Sequence, residues 1–360
     1  MTILKLLTFI FFLSGICFSQ TNPINIPGLV ELKDMEMVGD RIYAVGCNST
    51  DRTTPLFVCM NLKGDTIWTR EYPKFCNNGK FVKLTLFEDT LYVIGSGTNG
   101  KYGYDRFSFM LKVTTDGKYI DDRLVEDCTL KDITHYNKYL WITGEKKDEK
   151  YSGMILYKFN GRFKESKGRL FTSDTDRRGE YIGQQIVIQD SIIWIGGTCE
   201  FKNYATFSIT RVSHQLDSID VSYPLEKKWG ECQILFKDGS NNLWAAGKAN
   251  KNNDSLGFVV TCYNIKGEMI FSNYHALSDH AAEVLDIAQA TNGDVLIFSM
   301  FAGTPEIYIY RDTKFCKRII LTSYKDHLIQ KVVEYEPNKF VILCLQLVGS
   351  FYGKSALMYW

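Results

Sequence analysis

The chain has 360 residues, 45% apolar and 14% aromatic, with 42 Lys and Arg against 41 Asp and Glu. That composition can bury a large core and excludes a disordered chain. A net charge near zero leaves no overall field to steer the protein onto nucleic acid or an anionic membrane, so no nucleic-acid partner is expected.

Residues 1–19 carry one charge, Lys5, followed by an apolar run from Leu6 to Ile16 and small Ser19. The run is too short to span a bilayer and reads as a secretory signal peptide cut before Gln20. Ile16 stands where a lipobox ahead of Cys17 needs a small residue, which disfavours a lipoprotein. Residues 20–360 are expected to form one domain, with 41 basic and 41 acidic side chains. No second apolar stretch approaches the roughly 18–20 residues of a membrane helix, so no transmembrane segment of its own is expected.

The domain opens with TNPINIPG (21–28) and then repeats itself. A short apolar strand recurs as RIYAVG (41–46), TLYVIG (90–95), YLWITG (139–144), IIWIGG (192–197) and NLWAAG (242–247), with weaker copies DVLIFS (294–299) and KFVILC (339–344). Aligned on Tyr43, Tyr92, Trp141, Trp194, Trp244, Leu296 and Val341, the spacings are 49, 49, 53, 50, 52 and 45. Each copy holds an apolar strand, a polar turn, this signature strand, a polar loop and a third alternating strand. A tight turn and a fourth strand complete it, as in LKGDTIW (62–68) and IKGEMIF (265–271). Gly in those turns supplies a positive φ.

Four antiparallel strands repeated seven times predict an all-β, seven-bladed β-propeller. The Gly ending five signature strands (Gly46, Gly95, Gly144, Gly197, Gly247) marks a bulge or a close backbone approach. The last copy stops at its third strand, KSALMYW. Residues 21–28 are therefore expected to supply its fourth and latch the ring.

Nine cysteines follow the signal: Cys47, Cys59, Cys76, Cys128, Cys199, Cys232, Cys262, Cys316 and Cys344. The odd number leaves at least one thiol unpaired within the molecule, with room for one or two disulfides, and no CxxC spacing points to zinc. Metal and cofactor are therefore not expected.

Candidate sites fall in the connections. NYHALSDHAAE (273–283) gathers His275, Asp279, His280 and Glu283 between copies five and six, a candidate metal or base cluster or an ordinary polar loop. Asp34, Asp132 and Asp286 share a register on first strands, which favours carboxylates that accept backbone hydrogen bonds. The loops between second and third strands, with TSDTDRRGEY (172–181) and EKKWGE (226–231), should gather on one face. That face would display Tyr102, Tyr104, Arg106, Tyr151, Arg177, Arg178, Phe201, Tyr204 and Trp229, residue types that make binding hot spots.

The repeat resembles two propeller families, over essentially all of residues 20–360. IYAVG, with Trp68 22 residues beyond Gly46, is similar to a kelch repeat, although a double Gly occurs only at Gly196-Gly197. The LKGDTIW and TDGKYI turns are similar to quinoprotein repeats, but the Trp docking motif of the quinone enzymes and a vicinal Cys pair are absent. The resemblance implies the fold, not an activity. The signal ending CFSQ and the richness in Lys, Ile, Asn and Tyr resemble secreted proteins of Bacteroidota. The expectation is a non-catalytic platform for a protein partner, in the periplasm or at the cell surface, as an accessory or plug subunit of an outer-membrane translocon or transporter complex. A hydrolase or lyase with a tunnel-mouth site and a glycan-binding module are the alternatives.

Overall fold

The signature strand of the first copy is buried at six consecutive positions, Ile42 to Cys47. A strand so apolar on both sides needs a neighbour on each. A computed structural model supplies both. It describes residues 24–26, 30–48, 53–73, 78–99, 105–147, 152–171, 180–201, 204–216, 219–225, 229–252, 255–276, 282–348 and 352–360. Among them, the strands form seven four-stranded sheets, each strand antiparallel to its neighbour. The first strands (Val30–Val38, Asn78–Phe87, Cys128–Tyr136, Glu180–Gln189, Gly230–Lys237, Ala282–Gln289 and His327–Glu336) contact one another in sequence, and the last contacts the first. The protein is a closed seven-bladed wheel.

Each pair of adjacent blades shares one apolar core, and the signature residue of one blade points into the next. Tyr43 packs with Phe81, Tyr92 with Leu130, Trp141 with Ile186, and Trp194 with Leu235. Trp244 packs with Ile287, Leu296 with Ile329, and Val341 with Leu32. No sheet can cover itself, so stacking is the source of stability.

Every first strand carries a bulge at the same place, between Leu32 and Asp34 in blade one and between Gly183 and Gln185 in blade four. The bulge pushes a carbonyl onto the signature strand. A Cβ at Gly46, Gly144, Gly197 or Gly247 would lie 1.9, 2.1, 1.8 or 1.9 Å from the oxygen of Glu31, Thr129, Ile182 or Glu231. Glycine is required there by close approach.

Blade seven is completed from the other end of the chain. Ile24–Asn25 pairs antiparallel with Tyr352–Tyr359, matching Ile24 to Leu357 and Asn25 to Ala356. The Ile26 N–H donates to the Ser355 carbonyl at 2.9 Å.

The antiparallel order puts the turns between first and second strands, and between third and fourth, on one face of the wheel. Those turns are tight. Asn61 Oδ1 accepts the Lys63 and Asp65 N–H groups at 2.9 Å each around Gly64 at φ +84°. The strand ends flanking the second-to-third connections and the blade-to-blade links lie on the opposite, loop-bearing face.

Cys59, Cys232, Cys262 and Cys344 are buried thiols and Cys316 is an exposed one, while Cys76 lies outside the described residues. Burial pushes Cys262 and Cys344 up to about 12, so they pack as small apolar groups.

Candidate functional site

The axis of the wheel is lined by the first strands, whose outward ladder groups would otherwise lack partners. In blades one, three, four, five and six the residue after the bulge, or the bulged residue itself, reaches across to cap the next blade. Asp34 Oδ2 accepts the Leu84 N–H at 3.0 Å, Asp132 Oδ2 the Ile186 N–H at 2.8 Å, and Asp286 Oδ2 the Val332 N–H at 2.7 Å. Gln185 Oε1 does the same for Leu235 at 2.7 Å and Gln233 Oε1 for Val284 at 3.0 Å. The recurring carboxylates are therefore staples between blades.

Two lysines complete the ring. Lys83 Nζ lies 3.2 Å from Asp34 Oδ1 and 3.9 Å from Asp132 Oδ1, and Lys331 Nζ lies 3.1 Å from Asp286 Oδ1. Burial would lower the Lys83 ammonium, but Asp34, Asp132 and Asp286 outweigh it and hold it above the usual lysine range. Asp132 is pushed up to about 6, chiefly by burial, although Lys83 pulls it down. Two residues along the same strand, Glu36 Oε2 accepts the Leu86 N–H at 2.8 Å, and burial, reinforced by Asp34, pushes that carboxyl up to about 7.

Lys83, Lys331, Gln185, Gln233 and Glu36 were not singled out from the sequence. The signal was present, because Lys83 stands 49 residues after Asp34 and 49 before Asp132. The register carries Asp, Lys and Gln in different blades, which masks it in a single residue type.

His275 lies in the fourth strand of blade five (Met269–Ala276), not in a loop. Its ring stacks on Phe258 at 4.8 Å, meets Phe315 at 5.2 Å, and its Nε2 is 2.5 Å from the Tyr310 hydroxyl. Burial lowers the imidazole to about 4, so it is a neutral packing group. Glu283 instead receives Lys248 Nζ at 2.8 Å. Asp279 and His280 lie outside the described residues; among those described, no group of three or more His, Cys, Asp or Glu is placed to hold a metal ion.

Tyr102, Tyr104, Tyr151, Arg177 and Arg178 also lie outside the described residues. Arg106 belongs to the third strand of blade two (Asp105–Thr114). Phe201 ends the second strand of blade four (Ile192–Phe201), and Tyr204 opens the third (Tyr204–Ser213). The expected loops here are shorter because the ladder runs on to Phe201↔Tyr204. Phe201 packs edge-on against Tyr223 at 6.0 Å. Trp229 remains a surface residue: it is 42% exposed while its carbonyl accepts the Asn250 N–H at 2.9 Å. It stands at the entrance to the first strand of blade five, on the loop-bearing face.

No protein-family model matches the sequence, and no curated protein matches it. Solved structures match the fold. YCF48 bound to D1 peptide is similar with a TM-score of 0.60 at 9% identity, over 96% of each chain. The polysaccharide lyase Uly1 gives 0.57 at 12%, over 96% of this chain and 93% of that one. Drosophila Plexin A in complex with Semaphorin 1b gives 0.54 at 9%, over 94% and 86%. Identities this low show a shared architecture alone. The fold and the stapled axis define a β-propeller, and an interaction module is compatible with it.

No helix among the described residues is long and apolar enough to cross a membrane.

Proposed function

We propose that this chain is an exported, non-catalytic propeller whose loop-bearing face binds a protein partner. The observation that carries the reading is Trp229, a large aromatic ring held out into solvent on a backbone already fixed by the Asn250 N–H. Exposed tryptophan is among the residue types on which binding energy concentrates. The contrast between faces supports it, since variable connections on a rigid scaffold are where partners dock. YCF48 with its D1 peptide and Plexin A with Semaphorin 1b are propeller precedents for protein binding.

The apolar run of residues 6–16 supports export, and the setting we infer is the periplasm or cell surface of a Bacteroidota-type envelope. There a disc of this shape would serve as an accessory or plug subunit of an outer-membrane translocon or transporter barrel. The test is capture of the tagged full chain from its native envelope. Co-purification of a membrane β-barrel, reduced about tenfold or more by Trp229→Ala, is expected. Recovery of no other polypeptide overturns the reading.

A further inference from the structure

Trp229 stands at the edge of a surplus of hydrogen-bond acceptors. The bond from the Asn250 N–H to its carbonyl continues the ladder that matches Gly230 to Ala249 and Glu231 to Lys248. Strand alternation puts Trp229, Glu231, Lys248 and Asn250 on one side of that sheet. The other side belongs to blade four, since a Cβ on Gly230 would lie 3.3 Å from Phe207. Lys248 accordingly reaches blade six, its Nζ 2.8 Å from Glu283 Oε1. Gln184 of blade four approaches from the axis, its Nε2 3.3 Å from Glu231 Oε1.

Three carboxylates from three blades meet at this mouth of the axis. Burial raises the Glu231 carboxyl, and Glu283 and Glu200 add to the rise against the pull of Lys248 and Lys131. Each of the three acids keeps at least one oxygen with no hydrogen-bond partner among the described residues. The ladder partner of Glu200 is a further acid, Glu180, and like charges opposite one another weaken a sheet. Asn250 Oδ1 is buried and also lacks a partner among those residues. The site is short of donors.

We infer that the partner proposed for the loop-bearing face inserts an arginine here. Its guanidinium stacks on the Trp229 ring and donates to Glu231 and Asn250 Oδ1, while Glu200 and Glu283 supply further negative charge. The inference rests on the protein-binding reading above and names the chemistry that the face recognises. A lysine ammonium is a compact, strongly hydrated donor, whereas the planar guanidinium carries five N–H groups and a face that packs on indole. An acidic segment would meet like charge. A metal ion fits less well, because no group of three or more His, Cys, Asp or Glu is placed to hold one among the described residues.

Calorimetric titration of the full chain with capped hexa-arginine, hexa-lysine and hexa-glutamate peptides tests it. Hexa-arginine should bind, hexa-lysine should bind about threefold or more weaker, and hexa-glutamate should not bind. Trp229 is the exposed tryptophan, so hexa-arginine should change the protein's emission, and Trp229→Ala should abolish that change. Glu231→Gln/Glu200→Gln and Trp229→Ala should each weaken hexa-arginine about tenfold or more, while Glu126→Gln on the rim of blade two leaves it unchanged. Near-ultraviolet dichroism checks that every variant is folded. No binding of hexa-arginine, equal affinity for hexa-lysine or hexa-glutamate, or an affinity unchanged in Glu231→Gln/Glu200→Gln overturns the inference. A captured partner that is lost with Trp229→Ala but kept with Glu231→Gln/Glu200→Gln also overturns it, and leaves the reading of the loop-bearing face standing.

Discussion

Ser355 in blade seven clips Leu32 in blade one: its Oγ accepts the Leu32 N–H at 2.9 Å and donates to the Val30 carbonyl at 3.0 Å. Ser108 makes the same two bonds between blades two and three, donating to Cys128 O at 2.9 Å and accepting from Leu130 N at 3.0 Å. The two serines occupy equivalent places, but only Ser355 joins the two ends of the chain.

Ser355→Ala should therefore cost about 1–3 kcal/mol, because it leaves a buried donor and acceptor unmatched. Hydrogen exchange should speed up in Val30–Val38 and Tyr352–Tyr359, where the ring closes, and not in blades three to five. Unchanged protection in those two strands would contradict a closing role.

Gly197→Ala tests the bulge. The added methyl would sit 1.8 Å from the Ile182 carbonyl, and neither backbone can withdraw without breaking the ladder. A loss of about 3 kcal/mol is expected in chemical denaturation, at the upper end of overpacking costs. A neutral result would mean that the bulge is free to shift.

The axis should make the wheel lose stability as pH rises. Glu36 is raised from the ordinary carboxyl range to about 7 in the folded protein, so the native state holds its proton more tightly than the unfolded chain. Asp132, at about 6, acts in the same sense. Between about pH 4 and 7 the native state binds more protons, and stability from these groups falls with rising pH. Glu36→Gln keeps an acceptor for the Leu86 N–H and should flatten that slope and raise Tm at pH 8. A lower Tm at pH 8 would show the carboxylate to be stabilising.

His275 works in the opposite sense. Its imidazole is depressed to about 4, so the unfolded chain binds the proton more readily, and this contribution is lost as pH falls from about 6.5 toward 4. Its ring signals in NMR should stay those of neutral imidazole down to about pH 5. A midpoint near 6.5 would place His275 in solvent.

Much of the architecture was legible along the chain. The Tyr43-to-Val341 spacings gave blade number, the truncated KSALMYW copy pointed to an N-terminal strand, and repeated Gly46-type positions marked the bulge. The axis was half legible. Asp34, Asp132 and Asp286 showed as a register of like residues, while Lys83 and Lys331 broke the pattern in residue type although they keep it in position. His275 misled because a His near other polar residues in sequence says nothing about Phe258, Tyr308 and Phe315, which reach it only through blade packing.

By itself, the sequence determined the repeat and its strand grammar, because period and hydrophobic alternation are local properties of consecutive residues. Only the tertiary structure decided which groups meet. Asp34 finds the Leu84 N–H 50 positions away, and Ser355 finds Leu32 at a separation of 323. Such partners are chosen by how neighbouring sheets stack and twist around the axis, and no periodicity in one dimension encodes that geometry.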